Sequence, residues 1–201
     1  MSVNIELLYV SLYSYALGSI PFGLVLTKIF LKEDVRKIGS GNIGATNVLR
    51  TGKKSLGAAT LILDGLKGYA SVLTTIYFFS NYTGGASIIY FSALMCMLGH
   101  IFPIWLKFKG GKGIAVYLGV LFAVSIDLGL IFIFIWIIIF FFTKYSSLSS
   151  LISTLIVFLY SIFFYNFNIN LFFFISFVII VYTHRKNISR IRNNTENKTN
   201  F

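Results

Sequence analysis

Long apolar runs separated by short polar breaks dominate the chain. No charge falls between Glu6 and Lys28, and none at all within 148–182. A helix needs about 20 apolar residues to cross a bilayer, and the backbone polar groups of such runs have to be satisfied inside helices. The pattern therefore predicts an all-α integral membrane protein with segments at 4–28, 56–79, 86–106, 113–126, 128–143, 148–166 and 168–184. The stretch 113–143 is too short for two spans of about 20 residues each. A single tilted span there would put Lys112 and Lys144 on opposite sides, so two short helices turning at Asp127 and Gly129 are expected. The basic loop before Gly113 would then dip into the headgroup region, where irregular backbone is tolerated only if buried in protein or lining a polar cavity.

Two kinds of connection alternate along the chain. The stretches 28–54 and 107–112, Lys144, and everything from Arg185 onward are basic, whereas 80–85, 125–129 and 166–170 contain no Lys or Arg. Every Lys and Arg except Lys67 falls in or beside the basic kind. Cytoplasmic loops of membrane proteins collect these residues. The chain is thus expected to have an outside amino terminus, seven transmembrane helices (two of them short) and a cytoplasmic carboxyl terminus.

Composition sharpens this picture. Only 11% of residues are charged and 57% are hydrophobic, against about 25% charged in soluble domains, so a water-soluble globule is excluded. The net charge of +11 then reads as topology and not as nucleic-acid binding. Cys96 is the only cysteine, which excludes an intramolecular disulfide. The first apolar segment lacks a basic leader and a small-residue cleavage site, and reads as a retained helix. The tail 185–201 is basic and Asn-rich, suited to anionic lipid at about 1 kcal/mol per basic residue. With no repeat or second domain, 1–201 is expected to be a single transmembrane domain ending in that tail.

Several constellations carry candidate chemistry. Gly39, Ser40, Gly41, Asn42, Gly44, Thr46 and Asn47, followed by Arg50, form a donor-rich loop. Glycines allow successive N–H groups to surround an anion, and a guanidinium fork matches phosphate oxygens; a plain flexible loop is the alternative. Lys107, Lys109, Gly110, Gly111, Lys112 and Gly113 again pair glycines with cations. They do not form a P-loop, because Leu106 stands where that motif needs Gly and Gly113 where it needs Ser or Thr. Asp64 and Lys67 share a helix face and are expected to form a supporting ion pair. His100 reads as a helix-to-loop hydrogen-bond partner. His184, Asn187 and Arg190 can lie along one helix face, with decoration of a helix end by cations as the alternative. Ser146, Ser147, Ser149 and Ser150 read as caps of the helix that follows them, with donation by one of them to a ligand as the alternative, and Ser19 and Gly23, with Gly18 beside them, as a small-residue packing motif. Neither histidine has acidic neighbours at ligand spacing, so no metal is expected, and no cofactor is implied.

GSIPFG at 18–23, GSGNIGATNVLR at 39–50, LDGLKG at 63–68, GHIFP at 99–103, FKGGKGIA at 108–115 and HRKNISR at 184–190 together resemble the bacterial membrane acyltransferases that make lysophosphatidate from acyl-phosphate and glycerol 3-phosphate. The resemblance spans essentially the whole chain. It implies a seven-helix fold in the bacterial inner membrane with its active site at the cytoplasmic leaflet. It also implies acyl transfer to the 1-hydroxyl of glycerol 3-phosphate, with acyl-phosphate, glycerol 3-phosphate and membrane lipid as partners and a monomer as the working unit. By motif match, Ser40, Arg50, Lys109, His184 and Asn187 are the implied catalytic residues. Asn42, Thr46, Asn47 and Lys112, with Gly39, Gly41, Gly44, Gly110 and Gly111, are the implied substrate-binding set. Similar proteins usually have Gly where this chain has Asn194; Asn also adopts the left-handed conformation, so the turn before Glu196 is expected to survive.

The residues argue against a covalent acyl intermediate. No serine–histidine–acid set is apparent, and the HxxxxD pattern of other glycerolipid acyltransferases is absent, with Trp105 and Ser189 at the acid's place after His100 and His184. A transporter for a phosphorylated solute would share the basic face, but internal repeats and midplane sites are its usual mark. A structural scaffold would not need several glycine–cation motifs.

Overall fold

A computed structural model describes residues 5–79 and 87–199. The described residues are helical, with no strand. The non-basic connection expected at 80–85, residue 4 of the first segment and residue 86 of the third lie outside them. Helices occur at each predicted segment: α1 Ile5–Gly18, α2 Phe22–Leu31, α3 Ala45–Leu49, α4 Lys54–Phe79, α5 Ser87–Ile101, α6 Ile114–Val124, α7 Ile126–Thr143, α8 Ser146–Phe164, α9 Phe167–Thr183 and α10 Arg185–Arg192. Five segments are long and apolar enough to cross a membrane: Ile5–Leu31, Lys54–Phe79, Ser87–Leu106, Ile126–Thr143 and Ser146–Phe164. The helix α9 runs into α10 through a 61° bend, and α6 is shorter than a span. The chain divides into two compact units, one ending at Ala123 and the other starting at Val124.

In the amino-terminal unit small residues bring helix backbones into direct contact. A side chain on Gly18 would strike the Cys96 carbonyl, and one on Gly99 the Tyr15 carbonyl, so α1 and α5 meet without side chains between them. Likewise Gly119 of α6 lies against the Gly65 carbonyl, and Gly68 of α4 against that of Val116. Where apolar solvent offers little drive to association, such close packing and interhelical hydrogen bonds take over. The buried Ser92 hydroxyl lies 2.9 Å from that of Ser14, 3.0 Å from that of Ser71 and 2.9 Å from that of Thr75, joining α1, α4 and α5. The expected Asp64–Lys67 ion pair is present at 2.7 Å, with both side chains buried.

The first segment is broken, where the pattern predicted one helix over 4–28. Proline 21 has no N–H to give, and its φ of −91° and ψ of 74° close a tight turn in which Phe22 N–H reaches the Ile20 carbonyl. Ser19 and Gly23 consequently do not act as one packing motif; Gly18 faces Cys96 and Gly23 faces Ile43.

In the carboxy-terminal unit α8 packs on α7 and α9, and α10 on α9. The turn expected at Asp127 and Gly129 falls earlier, at Ser125. Its hydroxyl donates to the Asp127 carboxylate, which places a negative charge in the first turn of α7, where the helix dipole favours it. The helix is therefore longer than expected, and α6 is the short member of the pair. Three of the four serines at the start of α8 spend their hydroxyls elsewhere than on capping it. Ser149 and Ser150 donate to the carbonyls of Tyr145 and Ser146, four residues back. Ser147 reaches Glu196. Tyr145, with no side-chain cap, occupies the N-cap.

Because the Gly18 contact is backbone on backbone, Gly18→Ala has no flexible neighbour to displace. It is expected to cost about 1–3 kcal/mol of stability, more than the roughly 0.6–1.7 kcal/mol of the hydrogen bond to the Phe102 carbonyl lost in Tyr15→Phe. Thermal unfolding of both variants in the same detergent measures the order.

Candidate active site

The loop 38–50 is built around Asn47. Its Oδ1 accepts the Ser40 N–H at 2.9 Å, and its Nδ2 lies 2.9 Å from the carbonyls of Val35 and Ile38 and 2.8 Å from that of Asn42. Every polar atom of this buried amide is thus spent on the loop itself. Asn47 shapes the loop, and the ligand-donor role expected for it is withdrawn. Asn42 is partly spent as well, its Oδ1 accepting from Gly44 N–H. The N–H groups of Ser40, Gly41 and Gly44 all donate internally, so these three do not form the anion cradle the glycines suggested. Gly39 and Gly41 supply φ values of +53° and +71°, which ordinary side chains resist. Below them Leu24, Val35, Ile43 and Val48 make a small apolar core that ties the loop to α2.

This frame displays two groups. The Ser40 hydroxyl is exposed, and the exposed Arg50 lies over Gly39, where an added Cβ would stand 2.7 Å from Arg50 Cδ. The Arg50 guanidinium has no ion pair among the described residues. The neighbouring Arg36 does, holding Asp34 at 2.6 Å; its hydrogen bond brings the Asp34 carboxyl down to about 2. Thr46 and Lys112 are half-buried and each already has a partner.

The second glycine–cation loop is zipped onto the end of α5. The N–H groups of Phe108, Gly110 and Gly111 donate to the carbonyls of Pro103, Ile101 and His100 at 3.0 Å each. A side chain on Gly110 would strike the His100 carbonyl, and one on Gly111 the His100 imidazole. Close packing therefore accounts for these two glycines. Lys107 and Phe108 both adopt left-handed backbone, with φ of 52° and 60°; such strain in non-glycine residues collects at functional sites. Lys109 follows them, exposed and without an ion pair among the described residues.

In the carboxy-terminal unit His184 sits at the bend between α9 and α10, buried, with Nδ1 2.8 Å from the Ile180 carbonyl. A carbonyl only accepts, so the proton sits on Nδ1 and the lone pair of the neutral ring on Nε2. Asn187 and Arg190 share the expected face of α10 and converge on Glu196. Glu196 accepts from Asn187 Nδ2 at 2.6 Å, Arg190 Nε at 2.6 Å and Ser147 Oγ at 2.8 Å. Sequence reasoning left Glu196 and Ser147 out of the site. The available signal was that Glu196 is the sole acid in a basic tail. Asn194 takes the left-handed conformation with φ 56°, so the turn that delivers Glu196 survives the loss of glycine.

The chain matches known proteins along most of its length. The family model described as glycerol-3-phosphate acyltransferase matches residues 8–194. A glycerol-3-phosphate acyltransferase of Pelagibacter ubique (strain HTCC1062) is 57% identical, covering 96% of this chain and 98% of its own. Another from Rhodopseudomonas palustris (strain BisB5) is 48% identical over 92% and 91% of the two chains. Among solved structures, the chain is similar to PlsY (YgiH), an integral membrane glycerol 3-phosphate acyltransferase. Its glycerol 3-phosphate form is 36% identical with a TM-score of 0.90, covering 96% of both chains. Its lysophosphatidic acid form is 37% identical with a TM-score of 0.86, covering 96% of this chain and 94% of that one.

Burial alone would raise the Glu196 carboxyl, but the hydrogen bonds from Arg190, Asn187 and Ser147 outweigh it and leave it below the ordinary value of 4.5. The stabilisation it adds is complete above that value and is lost as pH falls through the lowered one. Glu196→Gln is expected to be less stable at neutral pH and to show a shallower fall in unfolding temperature below pH 4.5 than the wild type. Thermal unfolding of both proteins across that range tests this.

Proposed function

The chain belongs to the glycerol-3-phosphate acyltransferase family, and we propose that it transfers a fatty acyl group from acyl-phosphate to the 1-hydroxyl of glycerol 3-phosphate. The products are lysophosphatidate and inorganic phosphate, in the first step of membrane phospholipid synthesis. The observation that carries the reading is the pair of forms of the similar enzyme, one of glycerol 3-phosphate and one of lysophosphatidic acid. These two molecules differ by one acyl group, so they are the acceptor and the product of a single transfer. The donor is assigned from the motif resemblance and from the chemistry of two phosphate-bearing substrates, which accounts for two cationic glycine loops better than one ligand would.

Acyl-phosphate is a mixed anhydride whose carbonyl is already activated. The hydroxyl oxygen attacks it, the bond from carbonyl carbon to phosphate oxygen breaks, and phosphate leaves with the electron pair; no acyl-enzyme is needed. Arg50 and Lys109 are assigned to bind phosphate and stabilise charge as it leaves, with Ser40 as a further donor. His184, with its lone pair on Nε2, is assigned to orient or deprotonate the hydroxyl, and Asn187, its amide set by Glu196, to fix the acceptor. Holding donor and acceptor together supplies the proximity contribution. The alternation of basic connections supports seven crossings, an outside amino terminus and a cytoplasmic active face in the bacterial inner membrane, with a monomer as the working unit.

The experiment that tests the reading is phosphate release by the purified protein in lipid, given palmitoyl-phosphate with and without glycerol 3-phosphate. Release that depends on the acceptor, with matching lysophosphatidate, is expected; well-folded protein without it rejects the reading. In the same assay Lys109→Ala is expected to lose roughly a hundredfold or more in turnover, and near-normal turnover removes the charge-stabilising role. Gly39→Ala pushes a methyl group at both Asn47 Oδ1 and Arg50 and should lose about ten- to a hundredfold. Gly52→Ala, also at positive φ but with open space around it, should keep its turnover and lose only stability, so the two alanines separate backbone strain from displacement of the Asn47 and Arg50 side chains.

A further inference from the structure

The acyl transfer proposed above gives no task to Asp64, Lys67 or His100, yet all three are buried in the amino-terminal unit. Lys67 Nζ lies 2.7 Å from Asp64 Oδ1, 2.7 Å from the Ile20 carbonyl and 3.0 Å from His100 Nδ1. An ammonium has three N–H donors and no acceptor; the Ile20 carbonyl and His100 Nδ1 take one each, and Asp64 supplies the counter-charge at ion-pair distance. Lys67 is thus held on three sides, which suits a fixture and not an acid, a base or a ligand for substrate. The bond to His100 also settles the histidine: because Lys67 can only donate, Nδ1 must accept, and the ring proton stays on Nε2. Asp64 Oδ1 is 3.6 Å from Nδ1, too far to compete for it.

The other side of His100 faces the Lys109 loop. Its carbonyl takes the Gly111 N–H at 3.0 Å, and its imidazole lies where a side chain on Gly111 would be. The loop is tied to the same region by Trp105 Nε1, which donates to the Ser19 carbonyl at 2.8 Å, and by the Tyr15 hydroxyl on the Phe102 carbonyl at 2.7 Å. Lys109 stands two residues before Gly111. We propose that Lys67, neutralised by Asp64, and His100 are positioning residues that fix the loop carrying Lys109: the ammonium locks the imidazole, and the imidazole is the surface on which Gly111 rests. The inference rests on the acyl-transfer reading for its kinetic readout, but not for its structural one.

The two carboxamides divide the imidazole between them. In His100→Asn the side-chain oxygen stands near the place of Nδ1 and keeps an acceptor for Lys67. In His100→Gln the amide reaches toward the place of Nε2 and withdraws that acceptor. Trp105 reports on the loop, because Trp136→Phe leaves it the chain's only tryptophan. In that background, in lipid, His100→Gln and His100→Ala are expected to make Trp105 more accessible to acrylamide. They should also lower kcat/KM about ten- to a hundredfold, as displacement of a substrate-holding group by about 1 Å does, with KM for a phosphate-bearing substrate raised. His100→Asn should recover most of both. Should His100→Ala not fold, the comparison of the two carboxamides carries the test alone. Folded variants with wild-type constants and wild-type quenching overturn the proposal, as does lost activity with Trp105 unchanged. A wild-type protein without acceptor-dependent phosphate release sinks the acyl-transfer reading instead, and the order of Trp105 quenching still decides the positioning role.

Discussion

A charge held inside a membrane-spanning bundle has to find its solvation in the protein, and the Lys67 ammonium finds it in three acceptors drawn from three places. Asp64 is one turn back on the same helix, Ile20 sits in the break of the first segment, and His100 closes α5. Leaving such a charge short of a partner costs several kcal/mol, so the three elements are not independent. The Ile20 carbonyl is accessible because Pro21 interrupts the helix that would otherwise have used it. The Ser19 carbonyl, taken by Trp105, is accessible for the same reason. A buried ion pair is weak evidence of net stability; what this one contributes is location, holding the broken helix, the end of α5 and the loop beyond it to one arrangement.

The same economy governs the glycine loops. In a loop meant to cradle an anion the backbone N–H groups would point outward, yet those of Ser40, Gly41, Gly44, Gly110 and Gly111 are turned inward to carbonyls or to Asn side chains. The glycines serve the fold, two through positive φ at Gly39 and Gly41 and two through close seating on His100. The proposed anion chemistry then falls to the cations that the frame displays. Two arginines are already committed, Arg36 to Asp34 and Arg190 to Glu196. Arg50 and Lys109 have no ion pair among the described residues, and both sit on loops whose backbones are fixed from beneath. A rigid loop with an uncommitted cation is a better phosphate holder than a flexible one, because less ordering entropy is lost on binding.

Much of this was legible in the chain. Helices occur at the segments the apolar runs predicted, since a charge-free run in a membrane has no other stable backbone. The Asp64–Lys67 pair followed from spacing, and the Asn194 turn from the tolerance of Asn for left-handed backbone. What the pattern could not show was where polar side chains spend their hydrogen bonds. Asn47 looked like a donor to a ligand, and only its four contacts with the backbone of 35–42 reveal otherwise. The serines of α8 looked like caps because capping and back-bonding to the carbonyl four residues earlier use the same residue type. The break at Pro21 was hidden by a run that stays apolar through it, and the turn at Ser125 by an Asp and a Gly just beyond it that are themselves turn-formers.

The tail shows most clearly how function reaches past the motifs. Read as sequence, 185–201 is a basic, Asn-rich extension that water or anionic lipid would claim. In the structure its described part folds back. Asn194 reverses the chain, Glu196 collects Ser147, Asn187 and Arg190, and Thr199 N–H closes on the Lys144 carbonyl at 2.9 Å. The carboxylate takes the Asn187 N–H₂ group, and this fixes which way the amide points. The Asn187 oxygen is thereby the end turned away from Glu196. A single acid thus decides the orientation of a neutral catalytic candidate, and it can do so only because Asn194 accepts a backbone conformation that most residues refuse. The functional face of the carboxy-terminal unit therefore depends on residues that carry none of its chemistry, just as Lys109 in the amino-terminal unit depends on a lysine and a histidine buried beneath its loop.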